Sequence, residues 1–197
     1  MTITFDTASD PLEQFEAWFS QAREHSRGAD VVALATASVD AMPSVRFVNF
    51  KGLRNGALTF HTNYASRKAE HLAGNPVAAM AFHWPSLQMQ VTIEGACVRA
   101  SVEDTQRYFA TRDREAQLTA WGSDQSRPLH SFARLEERID DLRVAFEGRD
   151  IPCPPHWGGY ELTPARIEFR ISGEHRRHRR WLYVRESGKW KMQELYP

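Results

Sequence analysis

The sequence predicts a mainly β protein with peripheral helices, in which hairpin-linked antiparallel strands build a barrel or a sandwich. Three observations carry that expectation. Segments dense in β-branched and aromatic residues recur from Val31 onward, and such side chains suit the pleated, half-buried surface of a sheet. Turn-formers such as Arg54-Asn55-Gly56 and Pro85-Ser86 separate them at hairpin spacing. Helical periodicity is confined to a leading segment, one short stretch and a middle block, after which β character returns.

Taken in order, Asp10-Pro11-Leu12-Glu13 marks a helix start within an N-terminal helical segment spanning residues 1–28. Asp10 can cap, Pro11 has the φ of a first helical residue, and Glu13 can reach back to the cap. Leu12, Phe15, Trp18, Phe19 and Ala22 supply the apolar stripe. Strands are expected over Val31–Val39, Ser44–Lys51 and Ala57–Thr62. Ser66 can cap a short helix from Arg67 to Gly74 that stops before Asn75-Pro76. Val77–Trp84 and Leu87–Ala100 read as a strand pair around Pro85-Ser86. Ser101-Val102-Glu103-Asp104 opens a helix through about Arg112, and a second helical segment covers about Glu115 to Trp121. Phe132–Phe146 carries a 3.6-residue stripe of Phe132, Leu135, Ile139, Leu142 and Phe146. Gly159–Ile171, Arg179–Glu186 and Lys189–Leu195 complete the strands. With no repeat, low-complexity stretch or linker, residues 1–197 read as one domain.

Composition narrows the function. A chain of 197 residues can bury a full core. Lys plus Arg and Asp plus Glu are 25 each, and the pI is near 7.1, which argues against a dedicated nucleic-acid binder. The N-terminus lacks a basic region followed by an apolar core, and no apolar run approaches the roughly 18 residues of a membrane span. Two cysteines, Cys97 and Cys153, suit a reducing cytoplasm. No cysteine or histidine pair has zinc-site spacing, so no metal is expected.

The chain is locally basic at His175-Arg176-Arg177-His178-Arg179-Arg180. If this run is a strand, Arg176, His178 and Arg180 share one face, where two guanidiniums flank an imidazole. Such a face can bind phosphate or carboxylate and orient a reacting group. A solvated edge strand or a basic patch for nucleic acid are the plainer alternatives. Ser66-Arg67-Lys68 lies at a helix start directly after His61-Thr62. Cations there oppose the helix dipole unless an anion is bound, so the placement points to a phosphate pocket rather than to a solvated first turn. Alternation puts Arg46 and Lys51 on opposite faces, so both serve one site only if the strand bends or ends between them. Gln90, Gln125 and Ser126 can read a heterocycle's donors and acceptors, or simply hydrogen-bond at the surface.

In order along the chain, these pieces resemble the pyridoxamine 5'-phosphate oxidase family. The resemblance rests on Arg46-x4-Lys51, Ser66-Arg67-Lys68, Gln90-Val91, Tyr108-Phe109-x2-Arg112, Ala120-Trp121-x3-Gln125-Ser126, Trp157-Gly158-Gly159, Ile167-Glu168-Phe169 and Gly173-Glu174-His175-Arg176-x-His178-x-Arg180. It implies an FMN-binding split β-barrel of antiparallel Greek-key form, assembled as a homodimer with two FMN sites at the interface and with C-terminal strands, residues 160–197, completing them. By resemblance, Arg46, Lys51, His61, Thr62, Ser66, Arg67, Lys68, Gln90, Gln125, Ser126, Arg170 and Arg180 contact FMN, with Arg67 and Lys68 on its phosphate. Lys51, Tyr108 and Arg112 match the substrate-phosphate pocket, and Arg176 and His178 the catalytic pair over the substrate ring. The implied activity is oxidation of pyridoxamine or pyridoxine 5'-phosphate to pyridoxal 5'-phosphate, with dioxygen as acceptor and hydrogen peroxide as product.

Three features depart from the family's pattern. Ala116 stands where a serine usually completes the phosphate pocket, Arg170 where a tryptophan usually lies beside the flavin, and Asn49-Phe50 where an apolar pair is usual. Ala116 and Arg170 leave open a related flavin oxidase acting on a non-phosphorylated ring, of the phenazine-biosynthesis type, whereas Lys51, Tyr108 and Arg112 favour a phosphate. A flavin-binding protein without turnover is a further alternative.

Overall fold

The computed structural model describes Phe5 and residues 10–197. The first helix, α1 (Pro11–His25), starts as its sequence dictates: Asp10 caps by accepting the Leu12 N–H at 2.8 Å, and proline occupies the first turn. Phe15, Trp18 and Ala22 are fully buried, while Leu12 and Phe19 pack at the margin. The strands are β1 (Val31–Ala37), β2 (Pro43–Asn49), β3 (Leu53–Arg54), β4 (Ala57–Asn63), β5 (Val77–Trp84), β6 (Met89–Arg99), β7 (Trp157–Ile171), β8 (Arg179–Glu186) and β9 (Lys189–Leu195). Between β4 and β5 lies α2 (Arg67–Gly74); between β6 and β7 come α3 (Val102–Ala110), α4 (Arg114–Gly122) and α5 (Phe132–Ala145).

The strands form an antiparallel sheet in the order β2-β1-β5-β6-β7-β4-β3, with β8 paired to β7 and β9 to β8. Fifteen-residue β7 splits its pairing. Its first part, Trp157–Leu162, pairs with β4, and its last part, Arg166–Ile171, pairs with β8, while β6 accompanies it along its length. The β6–β7 register shifts at Glu94/Gly95. A Cβ on Gly95 would lie 1.9 Å from the Thr163 carbonyl oxygen, so the two backbones meet there only because the residue is glycine.

One core cluster joins α1 to the sheet; Trp18 meets Phe169 edge-on at 5.1 Å, and Phe15 meets Phe82 at 4.9 Å. A second, smaller cluster of Phe109, Leu118, Ala120, Ile151 and Trp157 seats α3 and α4 against the start of β7. Among the described residues, no helix is long and apolar enough to cross a membrane.

Most elements lie where the sequence predicts, and the differences have local causes. Two-residue β3 precedes the Asn55-Gly56 turn, where both φ angles are positive. The strand expected from Leu87 begins at Met89, because Pro85–Leu87 is a 3₁₀ turn ending on left-handed Gln88. The stripe of α5 is only half-buried: Ile139, Leu142 and Phe146 pack on the second cluster, whereas Phe132 is 66% exposed. The strand reading of the basic run fails before Arg179. Residues Glu174–Arg176 form a 3₁₀ turn in which His175 and Arg176 have φ of 51° and 62°, so simple alternation does not set their faces.

Candidate functional site

A cavity of about 850 Å³ opens between the β2 and β4 strands and the helices α2, α3 and α4. The end of β2 at Asn49 resolves the alternation problem: Arg46 lies within the strand, Lys51 lies beyond it, and both line the cavity. Together with them come His61, Thr62, Arg67, Lys68, Tyr108, Arg112, Gln125 and Ser126, residues spread over 81 positions of chain from Arg46 to Ser126.

One group of cations gathers at the start of α2. Arg46 donates to the Thr36 hydroxyl at 2.7 Å and to the Leu34 carbonyl at 3.2 Å. Lys68 donates to Thr62 Oγ1 at 3.0 Å, Ser66 Oγ at 3.3 Å and Gln125 Oε1 at 3.3 Å, all uncharged acceptors. Thr62 donates to the same Gln125 oxygen at 2.9 Å. The hydroxyl of Ser66 makes no cap for α2 and turns instead to Thr62 and Lys68. Burial, followed by the charge of Arg46, brings the Lys68 ammonium down to about 8, and burial followed by Arg67 lowers Arg46. Among the described residues none of the three cations makes an ion pair with a carboxylate. Concentrated cations facing only neutral acceptors suit a multiply charged anion.

A second group lines the same cavity. Lys51 follows β2, Tyr108 lies on α3, Arg112 follows that helix, and Ala116 lies on α4. The His61 ring stacks on Tyr108 with centroids 3.9 Å apart and on Trp157 at 5.2 Å, and Arg112 sits 4.6 Å over the Trp157 ring. Arg112 Nη1 and His61 Nδ1 are buried without a hydrogen-bond partner. Burial, then Arg112, Lys51 and Arg54, pushes the His61 imidazole down to about 4.

Gln90, Arg170, Arg176, His178 and Arg180 do not line this cavity within one chain. They form a separate cationic edge on β6, β7 and β8, where Gln90 registers with Arg170 and Arg170 with Arg180. Arg170 donates to Gln90 Oε1 at 2.8 Å. Arg180 is matched by Glu168 through two bonds of 2.8 and 3.0 Å. His178 Nδ1 accepts the Gly173 N–H at 3.3 Å, which leaves its other nitrogen to carry the proton in the neutral ring. Burial, then Arg170, Arg176 and Arg180, lowers the His178 pKa, so these four groups are close despite the broken strand. Among the described residues no group of three or more His, Cys, Asp or Glu is arranged to hold a metal ion.

Trp157 is an aromatic wall residue that sequence reasoning passed over as a site residue, as it did Phe47, Asn63, Thr111 and Asp113. Its signal is the following Gly158-Gly159: a Cβ on Gly158 would overlap the Tyr64 hydroxyl, and one on Gly159 would lie 3.1 Å from His61 Nε2. Gly159 thus lets the His61 ring of the cavity wall lie against β7, while Gly158 makes room for Tyr64 outside the cavity.

Fold and site together define a small-molecule-binding β protein in which a single cavity carries two cationic groups, fitted to ligands with more than one anionic substituent. Residues 19–145 match the family model described as pyridoxamine 5'-phosphate oxidase, and residues 157–197 match the one described as the pyridoxine 5'-phosphate oxidase C-terminal dimerisation region. A pyridoxine/pyridoxamine 5'-phosphate oxidase of Sphingopyxis alaskensis is 43% identical over 99% of this chain and 91% of its own length. Its namesake in Rubrobacter xylanophilus is 44% identical over 95% and 87%. Among solved structures, PhzG from Burkholderia lata, in complex with tetrahydrophenazine-1-carboxylic acid, superposes with a TM-score of 0.94 at 28% identity over 99% of this chain and 98% of that one. The chain belongs to the pyridoxamine 5'-phosphate oxidase family, a family of flavin-dependent oxidoreductases. Its dimerisation region covers β7, β8 and β9.

Proposed function

We propose that this chain is an FMN-dependent oxidase that converts pyridoxamine 5'-phosphate or pyridoxine 5'-phosphate to pyridoxal 5'-phosphate, with dioxygen as acceptor and hydrogen peroxide as product. The observation that carries this reading is the presence of two cationic groups, Arg46-Arg67-Lys68 and Lys51-Arg112, in one cavity. FMN and a phosphorylated substrate bring one phosphate each.

The residues fit FMN. Arg67 and Lys68, backed by Arg46, hold its phosphate at the start of α2, where the helix dipole adds to the attraction. Thr62, Ser66 and Gln125 keep Lys68 aimed through neutral hydrogen bonds, and Ser126 lines the cavity beside them. When bound, FMN supplies the two-electron acceptor that the side chains lack. Lys51, Tyr108 and Arg112 take the substrate phosphate, and the orphaned Arg112 Nη1 is a donor ready for it.

In this reading the whole chain acts as one domain in a homodimer, with each FMN site at the interface, and works in the cytoplasm. The partner's cationic edge closes the cavity: Gln90, Arg170 and Arg180 reach the flavin, while Arg176 and His178 cover the substrate ring. His178, whose pKa is lowered by burial and then by its cationic neighbours, offers in its neutral form a free N–H to a ring substituent. Positioning of this kind lowers the barrier by removing orientational freedom before reaction.

A second reading has one specific support. The likeness to PhzG, together with unpaired Arg170 on the cationic edge, suits a ring substrate bearing a carboxylate. The deciding experiment is an absorbance spectrum of the purified protein, followed by aerobic addition of pyridoxamine 5'-phosphate with aldehyde and peroxide monitored. Flavin bands with stoichiometric product support the vitamin B6 reading. Flavin bands without product shift the substrate to the carboxylated ring, and no flavin after FMN is supplied ends both.

A further inference from the structure

His61 is a titratable cavity residue whose chemistry the two phosphate pockets do not use. It sits on β4 in the wall shared by the main cavity and a smaller one of about 40 Å³ lined also by Lys51, Arg54, Asp104, Tyr108, Gly159 and Glu161. Its ring is held in a slot. Tyr108 covers one side at 3.9 Å, and the bare α-carbon of Gly159 allows close approach elsewhere, since a Cβ there would lie 3.1 Å from Nε2 and 3.3 Å from Cδ2. A ring so confined has little freedom to swing toward another partner, yet its buried Nδ1 has none among the described residues. A buried nitrogen without a partner is costly unless some state of the protein uses it.

The charges around it identify that state. Lys51 follows β2, Arg54 lies on β3, Arg112 follows α3, and Tyr108 belongs to α3 itself. Asp104 on α3 is paired with Arg54, and Glu161 on β7 lines the far wall. Burial is the first thing that holds the imidazole neutral, and the charges of Arg112, Lys51 and Arg54 add to it; Lys51 and Arg112 line the ligand cavity and make no ion pair among the described residues. A dianionic phosphate between Lys51 and Arg112 cancels their charge and so removes that part of the opposition to a proton on the ring.

We propose that His61 binds a proton when the substrate's phosphate settles between Lys51 and Arg112, becoming a third cation of the substrate-anion pocket. The proposal rests on the assignment of Lys51, Tyr108 and Arg112 to that phosphate. It places His61 among the substrate-binding residues rather than the cofactor contacts. Proton uptake makes binding of a phosphorylated ring stronger on the acid side of neutrality, whereas a neutral wall at this position leaves no such dependence.

The test uses FMN-loaded protein and 4'-deoxypyridoxine 5'-phosphate, which keeps the phosphate but has no oxidisable substituent at C4'. Calorimetric titration at pH 6.5 in two buffers of different ionisation enthalpy counts protons exchanged per ligand. Any proton change on the ligand's own phosphate is common to wild type and to His61→Gln and His61→Phe, so the difference reports His61. With the ring returned to about its ordinary 6.5 by the bound phosphate, wild type is expected to take up about half a proton more than either variant, and its affinity to fall about fourfold more than theirs between pH 6 and 8. Equal proton counts with ligand bound overturn the proposal. As a check independent of the variants, ¹³C-labelled histidine in wild type should show one of its eight ring signals moving from the neutral to the protonated position on ligand addition; no movement also overturns it. If the ligand fails to bind while FMN remains bound, the Lys51-Arg112 phosphate assignment itself falls, and this proposal with it.

Discussion

Lys68 donates its ammonium to the hydroxyl of Thr62 at 3.0 Å, and both then converge on the single side-chain oxygen of Gln125. A buried lysine satisfied wholly by neutral acceptors remains underneutralised, which is why its proton is held only to about pH 8. Above that pH the ligand-free protein must first take up a proton to present the ammonium to a phosphate. FMN affinity is therefore expected to be flat below pH 7 and to fall by up to tenfold per unit above pH 8. Flavin fluorescence titrations from pH 6 to 10 measure this. A Lys68→Met protein should bind FMN at least tenfold more weakly at pH 7 and lose the alkaline slope; retention of that slope would exclude Lys68 as its source.

His61 makes the ligand-free fold sensitive to acid. Its folded-state value of about 4 lies below the ordinary 6.5, so between those values the unfolded chain binds the proton more readily. The sign follows: the stability due to neutral His61 is present above pH 6.5 and is lost as pH falls toward 4. Urea denaturation of apoprotein at pH 7 and pH 5 should show wild type losing more stability than His61→Phe. Parallel losses would mean that the imidazole is already protonated in the fold.

Ala116 lines the cavity beside Arg112 and Lys51 and brings no donor to an anion held there. Ala116→Ser adds a hydroxyl worth about 0.5–1.5 kcal/mol when it is hydrogen-bonded. Pyridoxal 5'-phosphate should bind the variant two- to tenfold more tightly, with pyridoxal affinity unchanged. Equal gains for both ligands would show that the hydroxyl reads the ring rather than the phosphate.

Edge strand β2 exposes Val45 and Phe47 at 68% and 75%, while Ser44, Arg46 and Val48 are half-buried. An apolar row of this kind on an edge strand is a surface for association. Phe47→Asp is expected to shift the dimer to monomer in sedimentation velocity and to release flavin, since Phe47 also lines the cavity. A variant that stays dimeric would place the interface elsewhere.

Much of the fold was legible because its signals are local. The cap and proline at Asp10-Pro11, the Ser66 stop-and-start before α2, and the periodicities of β5, β8 and β9 each depend on neighbours within a few residues. The strand expected over Arg179–Glu186 is there as β8, but the conditional strand reading of the whole run from His175 does not hold, because its composition hides the left-handed backbone at His175 and Arg176. Arg176, His178 and Arg180 nevertheless share an electrostatic neighbourhood, through a turn rather than through alternation.

The sequence by itself determined which groups carry charge and which segments become strand or helix, since both follow from side-chain chemistry and short-range periodicity. Only the tertiary structure decided which cations face one cavity, because that depends on β2 ending at Asn49 and on β4 pairing with a strand about a hundred residues away. It alone showed Gly159 making room for the His61 ring and leaving its Nδ1 unpartnered. A residue's titration and its unmet hydrogen bonds are set by what packs against it, and here those neighbours come from distant parts of the chain.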